Sequence, residues 1–295
     1  MSVRRDYDLR DGTLSVLHFG DVSKPLELVF LHANGFNAQT YRAVFESLGV
    51  HAVVFDMRGH GQSRDMPQPS NINNWYIFRD DCVEFFERYL PELTDGSVVL
   101  AGHSFGAVTA ILASSFVKNR VSGYVGFDPV MIPLFFRLFS ILPGGQAYIK
   151  HRLPIARNAG RRKSEFENPE AVFTRWQGRG AFKAMGDDVL RDYISGGLVE
   201  RPDGQWELAC APQWEQKIFI TQWHNTFKAA RALPDNSKIV FAGERYSVSS
   251  KRTRAAIQAA QPNMRVMFDP KLQHLFPLYQ PDLAKDMLRD VLNGR

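Results

Sequence analysis

Val98-Val99-Leu100-Ala101-Gly102-His103-Ser104-Phe105-Gly106-Ala107 is the stretch on which the fold turns. Residues 98–101 are a short apolar run rich in valine, the pattern of a strand buried on both faces. Residues 107–116 read as a helix. Between them, Gly102-His103-Ser104-Phe105-Gly106 matches G-x-S-x-G. In such a turn a serine sits between strand and helix on strained backbone, and the flanking glycines remove side chains that would strike neighbouring backbone. The hydroxyl is thereby exposed at the sheet edge, and the helix aims its first amides and its dipole at the same point. Ser104 is the candidate nucleophile, with the Phe105 N–H as a donor to a developing oxyanion. The bland reading, a glycine-rich turn with an incidental serine, fits the strand-turn-helix setting less well.

Working outward, residues 5–9 and 13–19 alternate around Asp11-Gly12 and read as an antiparallel hairpin. Runs at 26–31, 52–55, 121–127, 238–242 and 265–268 carry apolar residues on both faces and read as buried parallel strands. Helical patterns at 75–90, after Ser104 and at 282–292 lie between them. Strand-helix alternation of this kind implies an α/β fold with a mostly parallel, doubly wound sheet. The rhythm breaks after residue 127, for about a hundred residues. Helical periodicity at 169–182 and 214–232, with little strand signal, predicts a mainly helical cap inserted after the sixth strand. The expected division is a core of residues 1–129 and 236–295 and a cap of residues 130–235.

A chain of 295 residues suits one large domain with an insertion. Its 44% hydrophobic and 23% charged residues argue against disorder. The formal charge of +5 is scattered, apart from Arg161-Arg162-Lys163, so no nucleic-acid partner is expected. Cys82 and Cys210 lie in dissimilar contexts and indicate neither a disulfide framework nor a zinc site. The charged N-terminus carries no secretory pattern, which makes cytoplasmic the default location. The most apolar stretch, residues 130–143, is too short to span a bilayer and contains Arg137. No integral membrane segment is expected; that stretch reads instead as a wall for a small-molecule substrate. A homodimer stays open.

Three further motifs carry a resemblance. Leu31-His32-Ala33-Asn34-Gly35-Phe36 is similar to the His-Gly-x oxyanion loop of the α/β-hydrolase superfamily, with Ala33 where glycine is usual. Phe55-Asp56-Met57-Arg58-Gly59-His60-Gly61-Gln62-Ser63 resembles its D-x-R-G-x-G-x-S loop, and Gln273-His274-Leu275-Phe276-Pro277 its catalytic histidine loop. The resemblance implies the Asn34 backbone N–H as second oxyanion donor, with the Asn34 side chain as a further candidate. It also implies His274 as general base. An imidazole with an unperturbed pKa near about 6.5 suits that task, accepting a proton and returning it to the leaving group.

The triad acid usually lies after the seventh strand in a G-x-x-D pattern, but here Gly243-Glu244-Arg245-Tyr246 puts tyrosine there. Some haloalkane dehalogenases carry the acid after the sixth strand, where this chain has Gly126-Phe127-Asp128-Pro129. Asp128 is therefore the expected acid and Glu244 the reserve; a purely architectural Asp-Pro pair is the competing reading. Phe36, His103 and Leu275 are expected at the substrate pocket, with the Phe105 side chain beside them, although ordinary packing explains such residues equally well.

A serine nucleophile implies acyl transfer to water through an acyl-enzyme, with no metal or organic cofactor. A carboxylic ester of a small, largely apolar molecule is the expected substrate. The same residues serve carbon–carbon bond hydrolases and cofactor-free perhydrolases, and proteins of this fold also bind small ligands without turnover.

Overall fold

A computed structural model describes residues 2–243 and 249–294. Strands β1 (Ser2–Leu9) and β2 (Gly12–Phe19) form the opening hairpin, which begins three residues earlier than alternation alone predicts. Then follow β3 (Leu28–Leu31), β4 (Ala52–Phe55), helix α1 (Tyr76–Arg88), β5 (Val98–His103), α2 (Phe105–Ser114) and β6 (Val121–Phe127). Every residue of β3, β4 and β5 is buried, as a sheet covered on both faces requires.

The segment after β6 contains α3 (Leu134–Ile141), α4 (Gly145–Arg152), α5 (Pro154–Gly160), strand β7 (Glu165–Phe166), α6 (Pro169–Trp176) and α7 (Asp187–Gly197). It continues through β8 (Leu198–Glu200), β9 (Trp206–Leu208), α8 (Pro212–Ile220) and α9 (Thr226–Ala230). The chain closes with β10 (Ser237–Phe241), α10 (Lys251–Ala260), β11 (Arg265–Phe268) and α11 (Pro281–Leu292). The main sheet runs β1-β2-β4-β3-β5-β6-β10-β11, antiparallel across β1, β2 and β4 and parallel elsewhere.

One apolar layer joins α1, α2 and α10 to one sheet face, through residues such as Phe78, Phe85, Ile111 and Ile257. The other joins Tyr41, Phe45 and α11 to the opposite face. Among the described residues, no helix is long and apolar enough to cross a membrane.

Three expectations need correction. The inserted segment contains a three-stranded antiparallel sheet, β7-β9-β8, where little strand signal was read. Its strands are two or three residues long, too short for periodicity to register, and the informative signal was the turn at Asp203-Gly204, with Gly204 at φ +78°. The helical stretch at 214–232 is two helices, the first ending at Ile220 and the second starting anew at Asn225, whose side chain caps α9. Finally, β11 is a partly exposed edge strand, with Met267 and Phe268 open to solvent.

Four buried histidines make this fold acid-sensitive. Burial is the largest cause in each case and lowers His32 to about 4 and His18, His60 and His224 to about 3. The unfolded chain, with imidazoles near about 6.5, binds protons first as pH falls, so stability is intact above that value and lost progressively toward the folded values. Each histidine that the fold holds neutral adds to the loss in this window. The urea midpoint should hold above about pH 7 and drop steeply between about pH 6.5 and 4.5. A flat profile through that window would show that these rings are not held neutral.

Candidate active site

Ser104 stands between β5 and α2 with φ +57° and ψ −116°. Among the described residues, only Ser104 and Asp128, at φ +41°, are non-glycine residues with positive φ. Such strain persists only where the surroundings enforce it, and it gathers at functional sites. The glycines around Ser104 are steric necessities. A Cβ on Gly106 would lie 2.2 Å from the Leu31 carbonyl oxygen and 2.4 Å from that of His32. One on Gly102 would lie 2.6 Å from the Ala107 nitrogen.

The structure brings Ser104, His274 and Asp128 into one hydrogen-bonded line. Ser104 Oγ is 2.9 Å from His274 Nε2, and His274 Nδ1 is 2.5 Å from Asp128 Oδ2. A carboxylate only accepts, so Nδ1 carries the proton and donates to Asp128, leaving the Nε2 lone pair facing the Ser104 hydroxyl. The Asp128 side chain is fully buried at the end of β6, and its Oδ1 accepts the Ala242 N–H at 3.1 Å. Glu244, the reserve acid, lies outside the described residues.

Two amides stand where an oxyanion would need them in sequence. Neither the Asn34 N–H nor the Phe105 N–H donates to any acceptor among the described residues. The Asn34 side chain is anchored elsewhere, Nδ2 donating to the Glu215 carbonyl at 2.9 Å. Asn37 Nδ2 donates to the Tyr193 carbonyl at 3.0 Å, and the Tyr193 hydroxyl to the Gly35 carbonyl at 3.2 Å. Helices α7 and α8 thus grip the loop after β3. The grip is itself braced, since Arg162 pairs with Glu215 at 3.0 Å and donates to the Tyr193 hydroxyl.

The expected pocket residues divide. Phe36 is half-buried, edge-on to Tyr193 with ring centroids 5.5 Å apart, and Leu275 is half-buried beside His274. His103 is not a pocket residue: it is fully buried, its ring enclosed by protein partners. The Phe105 side chain also points into the core, against Trp75 and Phe78 at 4.8 Å each. Its backbone position at the elbow is what faces the site.

His103 instead belongs to a network that includes Tyr41, a residue no sequence motif singled out. His103 Nε2–H donates to the His274 carbonyl at 2.8 Å. The Tyr41 hydroxyl then donates to Nδ1 at 2.7 Å, and Tyr41 in turn accepts the Ala33 N–H at 3.1 Å. One chain of hydrogen bonds therefore ties the loop after β3, the end of β5 and the histidine loop together. Burial holds the His103 imidazole well below its ordinary pKa, with His274 adding to the effect, so the ring stays neutral and keeps one donor and one acceptor. No cluster of metal-ligating side chains occurs among the described residues.

A model of the alpha/beta hydrolase family matches residues 28–284, from β3 into α11. The chain belongs to this family. It shares sequence with Esterase Rv0045c of Mycobacterium tuberculosis, 32% identical over 120 residues. The match covers 40% of this chain and 37% of the esterase, so the chain spans little more than a third of that relative. In structure it is similar to E-2-(acetamidomethylene)succinate hydrolase, with TM-score 0.77, 21% identity and coverage of 99% of this chain and 100% of the other. It is also similar to the peroxisomal alpha-beta-hydrolase Lpx1 of Saccharomyces cerevisiae, with TM-score 0.77, 14% identity and coverage of 100% and 88%. At such identities these two likenesses speak to the fold.

Tyr41→Phe tests the hydrogen-bond chain. It strands the Ala33 N–H and His103 Nδ1 in the core, which should lower stability by about 1–3 kcal/mol. If the network positions the loops, the reaction rate of Ser104 with a fluorophosphonate should fall about tenfold at temperatures where the variant is fully folded. Unchanged reactivity in folded Tyr41→Phe would reduce Tyr41 to a core residue.

Proposed function

We propose that this protein is a serine hydrolase that cleaves a carboxylic ester of a small, largely apolar substrate. One observation carries the reading: a strained serine at a strand-to-helix turn lies in a hydrogen-bonded line with an imidazole and a buried carboxylate. In this reading the core comprises residues 1–129 and 236–295, and residues 130–235 act as a cap that shapes specificity. The ester assignment draws on the partial match to Esterase Rv0045c.

Ser104 Oγ attacks the acyl carbon while His274 Nε2 takes its proton. Asp128 accepts from Nδ1–H throughout, fixing the ring orientation and stabilising the imidazolium as it forms. The Asn34 and Phe105 amides receive the oxyanion. Their N–H groups need no internal bond broken first, which suits donors preorganised for charge that develops only in the transition state. His274 then protonates the departing alkoxide. Water, deprotonated by the same imidazole, attacks the acyl-enzyme and restores the serine.

Turnover of p-nitrophenyl esters of graded chain length tests this reading alongside fluorophosphonate labelling. Ser104→Ala should abolish both, and Asp128→Asn should lower kcat by about 10³–10⁴-fold through loss of the correct tautomer and charge support. Glu244→Gln should stay within about twofold of the parent. The reverse pattern would transfer the acid role to Glu244. Labelling without ester turnover would point to carbon–carbon or peroxy chemistry on the same residues, and a native Ser104 that resists labelling would point to ligand binding.

A further inference from the structure

The helix that follows Asp128 is turned inside out. The side chains buried by α3 are Arg137 and Ser140. Its exposed side chains are Leu134, Phe135, Phe136, Leu138 and Ile141, continued by Leu142 just past its end. Phe135 is 71% exposed, Leu134 58% and Phe136 56%. Water is a poor environment for such a surface, and aromatic side chains this open on a monomer mark a contact site. The patch extends beyond one helix. Tyr148 of α4 is exposed and meets Phe139 of α3 at 5.3 Å between ring centroids, and Ile155 of α5 is exposed as well.

The charge around this patch identifies the medium it fits. From residue 130 to residue 163 the chain carries seven lysines and arginines and no aspartate or glutamate. Lys150, Arg152, Arg157, Arg161 and Lys163 are exposed, and the only ion pair in this segment among the described residues is that of Arg162 with Glu215. Arg152 also lies over the Tyr148 ring at 5.5 Å, so cation and apolar surface are contiguous. Exposed aromatic and aliphatic side chains fringed by unpaired cations form the pattern of a surface that enters the headgroup layer of an anionic bilayer. A second copy docked on the same face by a two-fold axis would bring two uncompensated cationic rims together, which disfavours that occupant.

We infer that α3 to α5 form a peripheral docking surface for anionic lipid membranes. The apolar row of α3 enters the acyl boundary, while Lys150, Arg152, Arg157 and their neighbours hold the headgroups. This attachment is independent of turnover, so Ser104→Ala should bind lipid like the parent, and its outcome is separate from that of the hydrolase reading.

Flotation of the full chain with vesicles is the test. Binding to phosphatidylcholine vesicles containing phosphatidylglycerol should exceed binding to pure phosphatidylcholine by about tenfold or more, and should weaken as salt rises. Phe135→Ser with Phe136→Ser should release the protein from anionic vesicles, and Lys150→Gln with Arg152→Gln should weaken binding by about tenfold. Both variants should keep the parent circular-dichroism spectrum. Equal binding to the two vesicle types, or none to either, overturns the inference. So does a stable dimer in sedimentation velocity that Phe135→Ser with Phe136→Ser dissociates, which would reassign the face to self-association.

Discussion

The approach of the Gly106 Cα to the Leu31 and His32 carbonyls is the constraint on which the site depends. No residue with a side chain fits there, since even a methyl group would lie 2.2 Å from an oxygen. That contact sets the spacing between the end of β3 and the start of α2, and so brings the Asn34 and Phe105 amides to the same end of the sheet. It also forces the turn before it to be abrupt, so Ser104 takes a backbone conformation that an unconstrained serine would leave. The placements of Ser104 and of the Asn34 and Phe105 amides are thus linked by one close packing contact, held by β3 and β5 pairing in parallel.

Around this contact, neutral imidazoles act as struts. His32 donates to the Ala33 carbonyl at 2.8 Å and accepts the Met57 N–H at 2.9 Å. His60 donates to the Arg58 carbonyl at 3.0 Å and accepts the Gly35 N–H at 3.1 Å. His103 joins Tyr41 to the His274 carbonyl. Only a neutral ring offers one donor and one acceptor on opposite edges, and burial keeps these rings neutral. The side chains that organise the loops are therefore of the same type as the proposed base, but among the described residues none of them hydrogen-bonds a carboxylate as His274 does.

Much of this was legible in the sequence because its information is local. The elbow is a strand, five residues and a helix in succession, and each part has its own signature. Asp128 was reachable by a different route, a tyrosine standing where the usual acid belongs. Tyr41 was not legible: nothing near it in the chain marks it, and its partners Ala33 and His103 are assembled by the fold. His103 was misread for the same reason, since its place beside Ser104 in sequence says nothing about the direction of its ring. The small sheet β7-β9-β8 escaped because two- or three-residue strands lack a period. The stretch at 130–143 was legible as apolar, but which side of its helix would face out depends on tertiary packing.

The inserted segment is attached at two places with different mechanical meanings. It leaves the core at Asp128, whose strained backbone and buried carboxylate fix the first residues after β6. It returns contact through Glu215 and Tyr193, which hold Asn34, Asn37 and Gly35 of the loop after β3. Asp128 and the loop after β3 are therefore both tied to the same segment, one by covalent continuity and one by hydrogen bonds. The bracing pair Arg162–Glu215 sits at the edge of the acid-free stretch that carries the exposed apolar face. The segment after β6 is, by these bonds, part of what holds the loop around Asn34.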